Sequence, residues 1–195
     1  ETVDGLMADC PNATLITHGP DAGLPNGQMG NSEVGHTNIG AGRVVAMDLG
    51  QIDLAIENES FFKNKAILDF AAVLSSTKGT AHLLGLVSDG GVHGHLNHML
   101  AAIKIFTAIK VPVVIHAITD GRDVNPTSAE GYFRTLEDNL PKGARIGTVI
   151  GRYYALDRDN RWERVQTAFA AISKAEGTKA ATPQSVIASA YSVGK

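Results

Sequence analysis

Between residues 81 and 174 the chain repeats one unit: a short apolar run, a polar loop with glycine or closely spaced aspartates, then apolar residues at helical spacing. The apolar runs fall at 82–87, 113–118 and 146–150. Leu96, Met99, Leu100, Ile103 and Phe106 form the first helical stripe. Phe133, Leu136 and Leu140 form the second, behind Pro126 and a capping box of Thr127 and Glu130. Trp162, Val165, Phe169 and Ile172 form the third, after Asp159-Asn160. A further helix is predicted over 64–76 from Ile67, Phe70, Ala71 and Leu74. Strands alternating with helices of this length predict βαβ units, an α/β fold with a parallel sheet flanked by helices.

Residues 1–46 have a different pattern. A single apolar run at 13–17, read as one strand, precedes Gly19, Gly23, Gly27, Gly30, Gly35 and Gly40. The shift in composition sets a domain boundary at 46/47, giving segments 1–46 and 47–195. One strand cannot build a sheet, so the first segment needs strands from elsewhere or packs on the domain that follows. The chain starts Glu-Thr-Val without Met and stops at 195 directly after an apolar helical pattern, so both ends are expected to be cut.

Composition narrows the function classes. With 44% hydrophobic and 19% charged residues among 195, the chain is expected to fold rather than stay disordered. No run approaches the roughly 18 apolar residues of a membrane span, and no charged-then-apolar leader opens the chain. Cys10 is the only cysteine, which excludes an internal disulfide framework and fits a reducing, cytoplasmic setting. The net charge of −3 is spread without a basic stripe, which argues against nucleic acid as a partner. An anionic small molecule would have to be held by local arginines. A monomer is expected.

In open α/β sheets, ligands bind beyond the carboxyl ends of the strands. That rule selects three loops: 88–95 with Asp89, His93 and His95; 119–123 with Asp120, Arg122 and Asp123; and 151–159 with Arg152, Asp157 and Arg158. Arginine forks match phosphate and carboxylate, and glycines let backbone N–H groups approach an anion. Any one of these loops reads equally as turn aspartates with surface ion pairs. Three on one edge read as a pocket for a small phosphorylated acid.

Ser32 is a second focus, because Asn31-Ser32-Glu33-Val34 opens a helix whose N-terminus favours a phosphate ester. A plain N-cap serine has the same local signature, and His36 is the only nearby base. A third focus is His93-x-His95-x-x-His98, with zinc-like spacing and Asp89 as a fourth ligand.

The run 23–45, Gly-Leu-Pro-Asn-Gly-Gln-Met-Gly-Asn-Ser-Glu-Val-Gly-His-Thr-Asn-Ile-Gly-Ala-Gly-Arg-Val-Val, resembles the nucleophile segment of the cofactor-independent (2,3-bisphosphoglycerate-independent) phosphoglycerate mutases. Ser-Asp-Gly-Gly-Val-His-Gly-His at 88–95, Asp-Gly-Arg-Asp-Val at 120–124 and the run from Gly151 to Arg164 match three further signatures of that family, in order. The resemblance implies an isomerase of glycolysis and gluconeogenesis that interconverts 3-phosphoglycerate and 2-phosphoglycerate through a phosphoserine. It further implies that 1–46 belongs to an alkaline-phosphatase-like domain and 47–195 to a phosphotransferase domain. By the same resemblance Ser32 is the nucleophile and a metal ligand, Asp123 is the base for the glycerate hydroxyl, and His93, Arg122, Asp123, Arg152 and Arg158 bind substrate. The family uses two divalent cations, Mn²⁺ or Mg²⁺, whose other ligands lie outside this segment, so the segment alone is expected to be inactive and not to hold both ions. Two rivals stand beside this reading: a hydrolytic phosphatase, and a zinc-binding module built on His93, His95 and His98.

Overall fold

Three apolar runs become the parallel strands β1 (Ala81–Leu86), β2 (Val113–Thr119) and β3 (Ala144–Gly151), paired in the order β1-β2-β3. This computed structural model describes residues 1–194. The chain divides into two compact units, Glu1–Gln51 and Ile52–Lys195, where composition alone set the boundary at 46/47. The division lies inside helix α3 (Asp48–Glu57).

In the second unit, α4 (Lys65–Thr77) leads into β1, α5 (Leu96–Ala108) connects β1 to β2, and α6 (Ala129–Asp138) connects β2 to β3. After β3 come α7 (Arg152–Ala155), α8 (Trp162–Lys174) and α9 (Pro183–Ser192). Central β2 is buried over nearly its whole length, as a strand covered on both faces should be. Its Val113, Ile115 and Ala117 join Ala71 of α4, Leu96, Met99, Ile103 and Phe106 of α5, Phe133 and Leu136 of α6, and Ile187 of α9 in one core. Phe133 is fully buried, so cutting it to alanine costs about 3–5 kcal/mol. The α/β fold with a helix-flanked parallel sheet is therefore as the sequence predicted.

Three local expectations are corrected. Residues 13–17 form no strand; Leu15 is 81% exposed. Among the described residues no strand pairs with them, and an extended segment without a ladder has nothing to fix it. The Thr127/Glu130 capping box does not form. Thr127 gives its N–H and its hydroxyl to Asn125 Oδ1, Glu130 pairs with Arg134, and the Tyr191 hydroxyl accepts the Ala129 N–H at the start of α6. The third stripe does form a helix, α8, but that helix buries Ala168 and Ala170 and leaves Trp162 and Phe169 exposed. A sheet three strands wide covers only part of a helix packed beside its β3 edge.

A polar ladder crosses the three strands. His116 Nδ1 meets Thr148 Oγ1 at 2.9 Å and His116 Nε2 meets His82 Nδ1 at 2.9 Å, with the two rings stacked. A neutral His116 satisfies both contacts if Thr148 donates to Nδ1 and Nε2–H donates to His82. Burial first, then the neighbouring His82 and Arg145, hold the His116 pKa below its ordinary value of 6.5. The unfolded chain therefore binds more protons than the folded one just below 6.5, so this contribution is complete above that pH and is lost as pH falls beneath it. The urea midpoint of the native protein is expected to fall more steeply between pH 7.5 and 5 than that of His116→Asn. Parallel curves for the two would remove His116 from the acid sensitivity.

The first unit holds α1 (Thr2–Asp9), a turn at Pro20–Ala22 and α2 (Ser32–Ala41). Its core is small: Ala22, Leu24 and Val34, with Met47 packed against them. Asn38 ties the Gly-rich stretch together, donating to the Ala22 carbonyl and accepting the Val45 N–H. Gly23 sits at φ +84°, and a Cβ there would lie 2.0 Å from the Val45 carbonyl oxygen, so only glycine fits.

Candidate active site

Because β1, β2 and β3 are parallel, the loops after Leu86, Thr119 and Gly151 leave the sheet on one edge. At that edge Ser88, 1% exposed, donates to Asp120 Oδ2 at 2.7 Å. Asp120 Oδ1 accepts three further bonds: the Arg122 N–H at 3.1 Å, the Asp123 N–H at 3.1 Å and Arg152 Nη1 at 2.6 Å. Arg152 Nη1 also donates to Asp123 Oδ2 at 2.7 Å. The first loop packs directly on the second: a Cβ on Gly90 would sit 3.1 Å from Asp123 Cβ and 3.4 Å from Asp120 Oδ2. Burial alone would push the Asp120 carboxyl up, but the bonds from Ser88, the Asp123 N–H, Arg152 and the Arg122 N–H bring it below the usual carboxylate range. Burial works against the Arg152 charge too, and the carboxylates of Asp123 and Asp120 outweigh it.

The third loop is curled around another buried carboxylate. The Asp157 side chain is 2% exposed and accepts the Asp159 N–H at 3.2 Å, the Arg161 N–H at 2.8 Å and Arg164 Nη1 at 3.3 Å. The Arg164 guanidinium lies 3.8 Å over the Tyr153 ring, a cation–π contact that holds it in place. Arg158 is left exposed at the lip. On the other side, the Tyr132 hydroxyl of α6 donates to Asp89 Oδ1 and so ties the His93 loop to that helix. Burial and the Asp89 carboxylate push the Tyr132 hydroxyl up to about 12, so it stays a donor at neutral pH.

These groups border an open cavity of about 1480 Å³, whose lining includes His93, Arg122, Arg152, Arg158, Asp120 and Tyr132. A small phosphorylated acid fits with room to spare. Four arginines, Arg122, Arg152, Arg158 and Arg164, reach the lining, and Arg152 contacts its two carboxylates through Nη1. Among the described residues no protein acceptor meets its Nε or Nη2, which leaves that edge of the fork for an anion. Asp123 is held differently from the others. Its carboxylate faces Arg152 and is 14% exposed.

Of the residues expected at the pocket, His93, Arg122, Asp123, Arg152 and Arg158 all lie on the strand-end loops of one edge. Reading the sequence passed over Ser88, Tyr132 and Arg164, and took Asp120 and Asp157 only as loop aspartates. Ser88 and Asp120 are the first polar residues after their strands, and that position was the available signal. Nothing in the spacing of α6 singles out Tyr132.

Ser32 belongs to the first unit and is exposed as the first residue of α2. The cap is Asn31, whose side chain accepts the Val34 N–H at 3.0 Å, so Ser32 is not the capping residue. His36 Nδ1 lies 2.7 Å from the Ser32 carbonyl oxygen and 3.2 Å from Ser32 Oγ. The carbonyl has no proton to give, so Nδ1 carries the hydrogen and cannot also take one from the hydroxyl. His36 in this arrangement is not a base for Ser32.

Among the described residues no three His, Cys, Asp or Glu side chains converge on one point. The His93-x-His95-x-x-His98 run does not converge either. His95 Nδ1 accepts the Asn97 N–H as the cap of α5, and His98 Nε2 bonds Asp53 Oδ1 at 2.7 Å. Burial and the adjacent His98 hold the His95 pKa below its usual value.

The chain is similar to known proteins over nearly its whole length. A bacterial relative from Ruegeria pomeroyi, a 2,3-bisphosphoglycerate-independent phosphoglycerate mutase, is 68% identical over 97% of this chain and 38% of its own length. The enzyme of the same name from Agrobacterium fabrum is 63% identical over 97% of this chain and 38% of its own. The chain thus spans a little over a third of the curated relatives it matches. A solved structure of Leishmania mexicana phosphoglycerate mutase, at low cobalt concentration, superposes with a TM-score of 0.79 at 32% identity, covering 91% of this chain and 34% of the other. The family described as BPG-independent PGAM N-terminus (iPGM_N) matches residues 52–195, and the chain belongs to it.

Proposed function

We propose that this chain forms part of a metal-dependent phosphoglycerate mutase that interconverts 3-phosphoglycerate and 2-phosphoglycerate without 2,3-bisphosphoglycerate. The observation that carries the reading is the sheet-edge cluster in which Arg152 joins Asp120 and Asp123 beside a cavity lined by Arg122, Arg158 and His93. The two-domain assignment follows: residues 1–46 serve a phosphatase-like domain with the nucleophile, and 47–195 serve a phosphotransferase domain. A cytoplasmic role in glycolysis and gluconeogenesis fits the single cysteine and the small anionic substrate.

In this reading Arg122, Arg152, Arg158 and His93 hold the phosphate and carboxylate of the substrate by charge-assisted hydrogen bonds. The phosphoryl group moves from the 3-oxygen to Ser32 Oγ, where the free N–H groups at the start of α2 favour it. The Ser32 hydroxyl gives up its proton as the P–Oγ bond forms, and the 3-oxygen takes up a proton as its P–O bond breaks and leaves as a hydroxyl. In the return step the 2-hydroxyl attacks the phosphoserine, Asp123 accepts its proton as the new P–O bond forms, and one proton returns to Ser32 Oγ as the P–Oγ bond breaks, which restores the serine hydroxyl. Two divalent cations, Mn²⁺ or Mg²⁺, would serve the complete enzyme by stabilising charge on the phosphoryl group, and Ser32 is the residue of this chain that would help hold them.

The test is an assay of the full-length protein with 3-phosphoglycerate, no bisphosphoglycerate, and separate measurement of 2-phosphoglycerate and inorganic phosphate. Isomerisation is expected. Phosphate release without isomerisation would replace the reading with a phosphatase, and neither product would overturn it.

A further inference from the structure

We infer that Asp120 is the positioning residue of the pocket: it aims the Arg152 guanidinium at the ligand and fixes the turn that carries Arg122 and Asp123. The inference rests on the mutase reading and adds to it a residue that does not react itself. One buried carboxylate accepts bonds from all three strand-end loops, through Ser88 of the first, the Arg122 and Asp123 N–H groups of the second, and Arg152 of the third. A turn aspartate with a purely local role would accept the two backbone N–H groups and face water. Asp120 is instead 2% exposed at its side chain and contacts Arg152 at 2.6 Å.

The geometry explains what this arrangement does. Arg152 contacts both Asp120 and Asp123 through the single nitrogen Nη1. Pinning one corner of a planar fork fixes the direction of its opposite edge, Nε and Nη2, where a phosphate or carboxylate is gripped bidentately. Ser88, itself buried, stops the Asp120 carboxylate from rotating. Asp120 also gives Arg152 a second counter-charge, so Asp123 is not its sole partner when a proton must be accepted. Because Asp120 acts through Arg152 and the 120–123 turn, its loss should misplace ligand-binding groups rather than remove a reacting atom.

The experiment uses Asp120→Ala and Asp120→Asn in the full-length protein. Asn keeps an oxygen for the two backbone N–H groups and can donate its amide to Ser88 Oγ, but it carries no charge toward Arg152. Asp120→Ala is expected to lower kcat/KM for 3-phosphoglycerate by about 10²-fold, the scale of a misplacement near 1 Å. Asp120→Asn is expected to recover part of that loss, with KM still raised. A purely structural residue would lower the active fraction and leave KM unchanged.

A second readout does not depend on activity. In ¹⁵N-arginine-labelled protein the Arg152 Nη–H signals should be resolved in the native form and broadened by free rotation in both variants. Unchanged Arg152 signals, or native kcat/KM in folded Asp120→Asn, would overturn the inference. Should Asp120→Ala fail to fold, Asp120→Asn alone decides. A native protein without mutase activity would sink the mutase reading, while the Arg152 signals would still decide the positioning role.

Discussion

Arg152→Ala in the full-length protein is expected to lose at least about 10²-fold in kcat/KM for 3-phosphoglycerate and to be less stable by about 3–5 kcal/mol. The first effect follows from removing the cavity arginine whose Nε and Nη2 edge is left for the ligand. The second follows from burial. The side chains of Arg152 and Asp120 are 14% and 2% exposed, so deleting the guanidinium leaves a buried carboxylate without its counter-ion. Breaking one half of a buried pair costs far more than the pair contributes as a whole. Arg152→Lys restores the charge but not the fork, so most of the stability should return while catalysis stays impaired. Urea midpoints and initial rates on the three proteins separate the two losses. Native turnover in Arg152→Ala would reject the pocket, and native stability would show that Asp120 finds another partner.

The sheet was legible because its strands are short, β-rich runs set between helical stripes, and burial on two faces demands that composition. The strand-end rule places Arg122, Arg152, Arg158, His93 and Asp123 on one edge from sequence alone, since a parallel sheet sends every such loop the same way. Pairing was not legible. That Asp120 and Asp123 both hold Arg152, and through which oxygens, depends on rotamers and on Gly90 allowing the first loop against the second. Periodicity also misjudged exposure where the covering layer is narrow. Trp162 and Phe169 keep helical spacing in α8 and are still 70% and 56% exposed, because spacing records the face of a helix and not what lies opposite it. The apolar run at 13–17 failed for the related reason that a strand is defined by its partner.

Ser32→Ala should show an almost complete loss of turnover with unchanged stability. Ser32 is exposed at the first turn of α2, and its hydroxyl supports no packing, while Asn31 supplies the cap. Substitutions at such surface positions stay within about 0.5 kcal/mol. Catalysis, by contrast, would lose the oxygen proposed to carry the phosphoryl group, and removal of a nucleophilic serine costs at least about 10⁴-fold in kcat. No neighbour can substitute. Thr37 lies five positions along the helix, more than one 3.6-residue turn away, and the His36 Nδ1 hydrogen is committed to the Ser32 carbonyl. Incubating the full-length native and variant proteins with ³²P-labelled 3-phosphoglycerate, then quenching in acid, should leave label on the native protein alone. Label retained by Ser32→Ala would move the nucleophile elsewhere, and turnover without any trapped phosphoserine in either protein would remove the covalent step.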